Sequence, residues 1–449
     1  MRKSILPRDV AVTWTSPSPD PSSSPTPQQT GPAASLIIAP LCPPTLLKGH
    51  AAFIATDSRF AAASRLLASA WRNDQGLPAG VHISRFQDGR TRRSRAGWRL
   101  RPDAARAGVA FLNSAIARFV HQALVLREPG SLWDETKIRS NLLSSQNLCL
   151  NLCVPLALDL DLATAVWRRL LPDFVHTVTN LRFESSPGRN DPLWLEDGTA
   201  FDAVLDVITP DGVVAFVIIE LKYIENFSGP AATSRPRYQA AAHAADLFID
   251  PDAPELYRVG VEQLRREHCL AQLMIQRGLA ARGRFVLVGP RLNPRVAAAA
   301  QAYSAHLIDP AGLAEQRVGF NHITVEAILA ALSAAGAGEH ALVLHRRFLD
   351  LERVAALALG DDSPAPPAAP APLLRLPPPT SPDGAPNEPD GATPTAAPTS
   401  SRARQRHADV GQRLASSQQR RAAQRTKRST TARRSRRRRS SIQPGTEVR

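Results

Sequence analysis

A run of seven apolar residues is the feature that most constrains the fold of this chain. Residues 213–219 read VVAFVII and directly follow the turn sequence PDG at 210–212. A strand with one face in water alternates apolar and polar residues, whereas a strand buried on both faces reads as a continuous apolar run. The run therefore predicts a central strand that is covered on both sides.

The segments around this run predict an α/β core with a mixed central sheet and flanking helices. Residues 174–184 and 199–209 have the composition of strands, and the PDG turn folds the second of them back onto the central strand as a hairpin. A helix at about 262–277, followed by a strand at 284–289, supplies a crossover that returns to the same sheet.

The front half of the folded region is predicted to be helical. Its helical patterns cover 58–74, 104–125 and 136–171, and two more helices, at 323–337 and 340–358, close the domain. A basic segment at 90–101, RTRRSRAGWRLR, interrupts these patterns and is predicted to be a loop. Its arginines are either solvated or in contact with a phosphate backbone.

Composition divides the chain into four parts. Pro, Ser, Thr and Ala dominate residues 1–46 and 361–400, and such segments cannot offset their ordering entropy by burial. We therefore expect a disordered N-terminal segment, a linker at 361–400 and a disordered Arg-rich tail at 401–449. The folded part is 47–360, a single domain with a helical front part up to 171 and an α/β core from 172.

Most of the net charge of +15 lies in the tail. Residues 401–449 hold 16 Lys and Arg against Asp409 and Glu447, a net +14, so the rest of the chain is close to neutral. The run Arg436, Arg437, Arg438 and Arg439 predicts salt-sensitive attraction to a nucleic-acid backbone, and a solvated polybasic tail is the alternative.

Cysteine usage and hydropathy indicate the compartment. Four scattered cysteines are too few for a disulfide framework in a chain of 449 residues, which favours a reducing environment. No apolar segment follows the first residues, MRKSIL, and no stretch reaches the roughly 18 apolar residues of a membrane span. These features predict a cytoplasmic protein that has no membrane partner.

An Asp on one strand of the hairpin and a Glu-x-Lys at the end of the central strand form the candidate catalytic site. Glu220 and Lys222 share one face of their strand because side chains at i and i+2 point the same way. Asp202 lies 18 residues before Glu220, and the PDG turn brings the two together across the hairpin. Asp206 is the competing first carboxylate, because it lies on the same face of the same strand.

Two converging carboxylates repel each other unless a cation neutralises them, so Asp202 and Glu220 are predicted to hold Mg²⁺, with Mn²⁺ as the alternative ion. Magnesium takes few carboxylates and completes its shell with water and phosphate oxygens. Such an ion activates water for attack on a phosphodiester, while Lys222 orients the nucleophile or stabilises the developing negative charge.

The sequence resembles a bacterial, largely uncharacterised family of PD-(D/E)xK nuclease-like proteins that are related in fold to restriction endonucleases. The resemblance spans about 58–350 and lies in RFESSPGRNDPLW, TAFDAVLDV, VIIELKY, SNLLSSQNLCLNL, ASAWRNDQGLPAG and VGVEQLRREHCLAQ. It implies a restriction-endonuclease-like core in which Asp202 is the first metal carboxylate and Glu220 and Lys222 form the E-x-K. Long Pro-rich and basic tails distinguish this chain from the family pattern.

The resemblance also directs attention to three further residues. Gln263 lies on the helix after the motif strand, where related nucleases carry a polar residue near the active site, and Glu184 is a candidate additional acid. A surface residue and a loop cap are the respective alternatives. Arg189 either contacts a phosphate or pairs with an acid such as Asp191.

Two functions from different classes follow from these features. The first is a metal-dependent endonuclease that acts on a nucleic acid, with DNA as the expected substrate. The second is a catalytically silent protein that keeps the nuclease fold for nucleic-acid binding or assembly. A symmetric homodimer would cut both strands of a duplex, whereas a monomer would nick one, and both states stay open.

Overall fold

A computed structural model of the chain describes residues 36–85, 89–225, 235–258, 260–314 and 316–360. Within these ranges the chain forms seven strands and thirteen α-helices. The strands are β1 Gly80–Arg85, β2 Thr91–Ala96, β3 Thr177–Ser185, β4 Phe201–Ile208, β5 Val214–Leu221, β6 Arg282–Gly289 and β7 Gly319–Thr324. The helices are α1 Pro44–Gly49, α2 Arg59–Asp74, α3 Pro102–Arg106, α4 Ser114–Val125, α5 Glu135–Ser140, α6 Ser145–Leu158, α7 Leu160–Leu170, α8 Pro236–Ala245, α9 Val261–Gln276, α10 Pro294–Ser304, α11 Val325–Ala334, α12 Gly338–Phe348 and α13 Leu351–Leu359.

The predicted disordered segments fall almost entirely outside the described residues. Residues 1–35 and 361–449 lie outside them, including the arginines Arg436, Arg437, Arg438 and Arg439 of the tail. The predicted N-terminal boundary at residue 46 lies too far along the chain. Ala39 and Cys42 are already buried in the hydrophobic core, because apolar side chains that precede α1 pack against it.

Five strands form one mixed sheet in the order β3-β4-β5-β6-β7. The pairs β3–β4 and β4–β5 are antiparallel, whereas β5–β6 and β6–β7 are parallel. The central strand β5 is buried at every position from Ala215 to Leu221. The sheet therefore confirms the α/β architecture that the apolar run predicts.

Helices cover both faces of this sheet. Val217 and Ile219 of β5 point into a core that contains side chains of α2, α6, α7, α11, α12 and α13. Phe216 and Ile218 point into a second core, formed with α8, α9 and α10. Because all four side chains are almost fully buried, truncating Ile218 to Ala would cost about 2–5 kcal/mol of folding free energy.

The front half differs from the sequence prediction in two places. Residues 91–96, within the basic segment predicted as a loop, form β2, which pairs antiparallel with β1. The prediction missed β2 because most of its side chains are exposed and three are arginines, which removes the apolar alternation. In β1 the alternation is limited to Val81 and Ile83. The single helical pattern at 136–171 is three helices, because the side chains of Ser144 and Asp159 cap the starts of α6 and α7.

The back half contains elements that the sequence analysis did not predict. The helix expected at 323–337 begins only at Val325, where the Thr324 side chain accepts a hydrogen bond from the Ala327 amide, and edge strand β7 precedes it. Helices α8 and α10 were also missed. Both are short, Ala-rich and begin with Pro, so their apolar periodicity is weak.

Among the described helices, no single one is long and apolar enough to cross a membrane. Only the pair α6 and α7 reaches that length and composition together, and it is bent by 116°. The apolar side chains of α6 pack against the sheet.

Candidate active site

The register of the β4–β5 hairpin places the first carboxylate beside the second. Ala203 pairs with Ile219, so the next opposed positions are those of Asp202 and Glu220. Asp202 extends this pairing through its side chain, because its Oδ2 accepts a hydrogen bond from the amide of Leu221 at 2.9 Å. The structure thus brings together the two carboxylates that the turn spacing predicts.

Glu220 and Lys222 project together from the end of the central strand. Lys222 Nζ donates to Glu220 Oε1 at 2.5 Å, and the Lys222 amide donates to the carbonyl of Val288 on β6 at 2.8 Å. Both side chains are nearly buried, with 5% of Glu220 and 11% of Lys222 exposed. The ammonium group is therefore held at the edge of a cleft and not free in solvent.

Helix α9 supplies a second set of contacts. Gln263 Oε1 accepts from Lys222 Nζ at 3.0 Å, while Gln263 Nε2 donates to Glu220 Oε1 at 3.0 Å and to Glu267 Oε1 at 2.8 Å. Gln263 is thus a direct neighbour of the motif. Sequence reasoning missed the buried Glu267, although its spacing of four residues from Gln263 on a helix was the available signal.

Glu184 reaches the same cleft from β3. Its backbone has a φ of 44°, in the left-handed region that non-glycine residues rarely adopt, and this turns its side chain away from the regular strand direction. Gln146, at the start of α6, donates to Glu184 Oε2 at 3.2 Å. Gln146 is a further cleft residue that the sequence analysis did not identify, since nothing in a helical sequence marks one polar residue as facing a strand.

Arg189 occupies a different environment from the one predicted. Only 3% of its side chain is exposed. It donates to Glu128 Oε2 at 3.1 Å, to the carbonyl of Gly198 at 2.9 Å and to the carbonyl of Glu184 at 2.5 Å. Of the two predicted alternatives, the structure shows the pairing with an acid, although the acid is Glu128 and not Asp191. In this arrangement Arg189 stabilises the loop between β3 and β4.

Asp206, the competing carboxylate, does not reach the cleft. Its Oδ1 accepts from Arg182 Nη2 at 2.6 Å, and its Oδ2 accepts from Asn180 Nδ2 at 3.1 Å. These are the contacts of a surface ion pair between β3 and β4. Of the two aspartates on this face of β4, only Asp202 lies beside Glu220.

The loop that leads into β4 is fixed by a buried Asp. Asp197 Oδ2 accepts from Tyr238 Oη at 2.5 Å and from Thr199 Oγ1 at 2.6 Å, and Arg266 donates to Thr199 Oγ1. Because Thr199 is three residues before Asp202, these contacts position the start of the strand that carries the first carboxylate.

Negative charge exceeds positive charge at the centre of the site. Burial, and then the charge of Glu220, raise the pKa of Asp202 and of Glu267 well above the ordinary values, and burial raises the pKa of Glu184. Burial alone would lower the pKa of Lys222, but the surrounding carboxylates, Glu220 foremost, outweigh it and raise that pKa. The Lys222 ammonium group and two guanidinium groups, Arg266 near Glu267 and Arg189 near Glu184, thus face four carboxyl groups.

The oxygen atoms present suit a hard divalent cation. Asp202 Oδ1 and Glu220 Oε2 accept no hydrogen bond from the described residues, so each carboxylate has an oxygen free for a ligand. The part of the chain that is described contains no cluster of three or more His, Cys, Asp or Glu residues arranged to hold a metal. Two carboxylates with open cleft beside them match magnesium, which retains several water ligands.

The site opens into a cleft of about 560 Å³ between the helical front half and the sheet. The motif residues form one wall, and residues before α6 form the opposite wall. The side chains that could meet a polyanion or its sugars are Ser58, Arg65, Lys137, Asn141, Ser144, Ser145, Gln146, Thr199 and Arg266. The cleft is therefore lined mainly by polar groups from both halves of the domain.

Comparison with known proteins gives a family for this arrangement. The family model described as PD-(D/E)XK nuclease superfamily matches residues 55–350, about two thirds of the chain, and so includes both walls of the cleft. Neither a curated protein nor a solved structure matches the sequence.

Proposed function

Because the chain belongs to the PD-(D/E)XK nuclease superfamily, we propose that it is a magnesium-dependent endonuclease that hydrolyses phosphodiester bonds in DNA. The observation that carries the proposal is the convergence of Asp202, Glu220 and Lys222 at a polar cleft. Four partly or fully buried carboxyl groups lie there, and the nearby cationic side chains compensate them only in part, since the pKa values of three of them stay raised. Such an arrangement is unfavourable for stability alone and useful for binding a cation.

In this mechanism Asp202 and Glu220 hold the cation, Mg²⁺ or alternatively Mn²⁺, through the oxygens that face the cleft. When bound, the ion supplies a water of lowered pKa and polarises the phosphoryl oxygen. In the overall hydrolysis a water would form a new O–P bond and give up one proton, while one P–O ester bond breaks and the departing oxygen takes up a proton. The site thus requires groups that position the water and compensate the negative charge.

Lys222 is proposed to serve both needs. Its raised pKa keeps it protonated at neutral pH, so it cannot act as a general base there. It donates hydrogen bonds instead, orienting the nucleophile or stabilising the negative charge that develops on the pentavalent phosphorus. Gln263 accepts from the same ammonium group and so restricts where Lys222 points.

Glu184 is proposed as the additional acid of the site. Burial raises its pKa above the ordinary value, which favours the protonated form, and it lies on the cleft wall next to Gln146. A carboxyl group of this kind can accept a proton from the attacking water or return one to the leaving oxygen.

DNA is the proposed partner of the whole chain. The Arg-rich residues 401–449 would add non-specific, salt-sensitive attraction to the phosphate backbone, and a cleft of this size would take up the backbone at the scissile bond. We propose a cytoplasmic location, which agrees with four free, buried cysteines.

The test is cleavage of supercoiled plasmid and of a single-stranded oligonucleotide by the full chain, with Mg²⁺, with Mn²⁺ and with EDTA. Lys222→Ala is the inactivating variant, and Asp206→Asn is the control, because Asp206 lies on the same face of β4 as Asp202 but outside the cleft. We expect metal-dependent cleavage that the first variant loses and the second retains. Nicked circles would indicate a monomer and linear product a dimer.

Cleavage in EDTA would contradict the mechanism. No cleavage of any substrate with either metal, by a chain that still binds nucleic acid, would favour the catalytically silent function in binding or assembly.

A further inference from the structure

A two-stranded hairpin stands apart from the main sheet. Strands β1 and β2 pair with each other over six residue pairs and with no other described strand. Val81 lies opposite Arg95 and Ile83 opposite Arg93, so one face of this ribbon carries two arginines and two β-branched apolar residues. Val81 is 44% exposed and Ile83 51% exposed, which means that nothing in the described protein covers this face.

Three arginines of β2 lack partners. Arg92, Arg93 and Arg95 are exposed, and none makes a hydrogen bond or ion pair with the described residues. Other exposed arginines of the domain do pair, as Arg353 does with Asp74 and Arg182 with Asp206. Arg93 and Arg95 share the face of Val81 and Ile83, whereas Arg92 lies opposite Ser84 on the other face. Guanidinium groups without a counter-charge among the described residues, on a protein region that is otherwise close to neutral, indicate a surface for an external polyanion.

The base of the hairpin is built into the wall of the cleft. The Leu100 amide donates to the carbonyl of Ser140, the Leu142 amide donates to the carbonyl of Trp98, and Arg99 pairs with Asn141, which lines the cleft. These backbone contacts tie the chain that leaves β2 to the segment that precedes α6.

A second contact joins the hairpin base to helix α2. The guanidinium of Arg65, itself a cleft residue, lies 4.3 Å from the centre of the buried Trp98 ring. The hairpin therefore projects from the rim of the cleft on a fixed base.

We propose that the β1–β2 hairpin is a duplex-binding arm, which places its exposed ribbon in the major groove of B-form DNA beside the cleft. The proposal rests on the nuclease function proposed above, whose substrate class it narrows to duplex DNA. The major groove, about 12 Å wide, admits a two-stranded ribbon. Arg93 and Arg95, on the same face as Val81 and Ile83, contact the phosphates that line the groove, while Val81 and Ile83 contact sugars and base edges.

The chemistry of the ribbon favours a duplex over a single strand. Binding of unpaired bases relies on exposed aromatic side chains for stacking, but the aromatic residue at the described base, Trp98, is buried. A-form RNA has a deep and narrow major groove that side chains cannot read. B-form DNA is therefore the form that this ribbon fits.

The experiment measures equilibrium binding by the full chain in EDTA, where a metal-dependent enzyme does not cleave. The probes are a DNA duplex, its single strand and an RNA duplex of the same sequence. The test variant replaces Arg93 and Arg95 with Ala. The matched control replaces Arg118 and Arg168, two exposed helical arginines outside the cleft, and so removes the same charge.

For the DNA duplex, we expect the plot of log Kd against log salt concentration to become shallower by about 1.8 in the test variant, since each of the two phosphate contacts contributes roughly 0.9. We expect little change in the control, little change on the single strand, and recovery of the slope when the two arginines become Lys. The basic tail is present in every variant, so it cancels in these differences.

Three results would overturn the duplex-binding arm. They are an unchanged slope in the test variant, an equal reduction of the slope on single-stranded DNA or on the RNA duplex, and a slope that does not recover when Lys replaces Arg. A chain that binds duplex DNA through the hairpin but never cleaves would overturn the nuclease proposal alone. A chain that cleaves normally after loss of the arginines, with unchanged binding, would overturn the arm alone.

Discussion

The two ends of the β4–β5 hairpin carry acidic residues in opposite environments. At the cleft end, burial and a neighbouring carboxylate raise the pKa of Asp202. At the turn end, Asp211 is exposed, accepts from Thr209 and pairs with Arg282 at 3.0 Å, and these contacts lower its pKa. Ionisation of Asp202 therefore destabilises the folded protein, whereas ionisation of Asp211 stabilises it. This difference separates a candidate functional carboxylate from a structural one.

The largest expected effect comes from removing the charge at the cleft end. Asp202→Asn should lower the cleavage rate by at least about 100-fold, the usual cost of losing one group that stabilises the transition state. It should also raise the melting temperature of the metal-free protein, because it removes repulsion with Glu220 while an amide oxygen can still accept from Leu221. The checks are plasmid cleavage and thermal unfolding in EDTA.

Asp211→Asn is the control at the turn end. It should leave cleavage unchanged and slightly lower the melting temperature. If Asp202→Asn lost stability as well as activity, Asp202 would stabilise the metal-free protein as Asp211 does, and the proposed difference between the two ends of the hairpin would be wrong.

Magnesium should stabilise the folded protein through the cleft end alone. At a metal concentration of one hundred times Kd, binding to a single site adds about 2.7 kcal/mol to the free energy of unfolding. Thermal unfolding with and without Mg²⁺ measures this for the native chain, for Asp202→Asn and for Asp211→Asn. We expect the stabilisation by Mg²⁺ to disappear only in Asp202→Asn. An equal stabilisation of all three chains would mean that the metal binds elsewhere.

Gln263→Leu should produce a smaller effect, on both rate and stability. It leaves Glu220 and Glu267 without one hydrogen bond each, at a cost of about 1–3 kcal/mol, and frees Lys222 from one restraint. Gln276→Leu, at an exposed position of the same helix, is the control. Chemical unfolding and cleavage rates test the pair, and equal losses in both variants would show that only helix α9 is affected.

The smallest expected effect is a dependence of stability on pH in the metal-free protein. The pKa values of Asp202, Glu184 and Glu267 are raised in the folded state, so the folded protein binds these protons more tightly than the unfolded chain. Their contribution is fully present below the ordinary values of 3.8 and 4.5 and is lost as the pH rises through the folded pKa values.

Melting temperatures measured in EDTA from pH 4 upwards should therefore fall less steeply for Asp202→Asn than for the native chain. A steeper fall in the variant would mean that the carboxyl group of Asp202 is ionised without cost in the folded protein, and the contrast with Asp211 would no longer hold.

Some of this protein is determined locally and is readable from the sequence. The apolar run before Glu220 predicts the buried strand β5, because continuous hydrophobicity is tolerated only where both faces are covered. The turn at 210–212 sets the register that opposes Asp202 to Glu220, and the i, i+2 spacing puts Lys222 beside Glu220. The family, the mixed sheet and this central pairing were therefore within reach of sequence reasoning.

Only the tertiary structure decided which other groups join this pairing. Gln146 and Glu267 come from helices that lie far from Glu220 in sequence, and their side chains reach the cleft because the packing of α6 and α9 against the sheet orients them. The same packing buries Arg189 and leaves Asp206 on the surface. The pairing of β4 with β5 follows from the local spacing of residues. Which side of a helix faces the sheet depends instead on the summed contacts of both hydrophobic cores, and no short segment encodes these contacts.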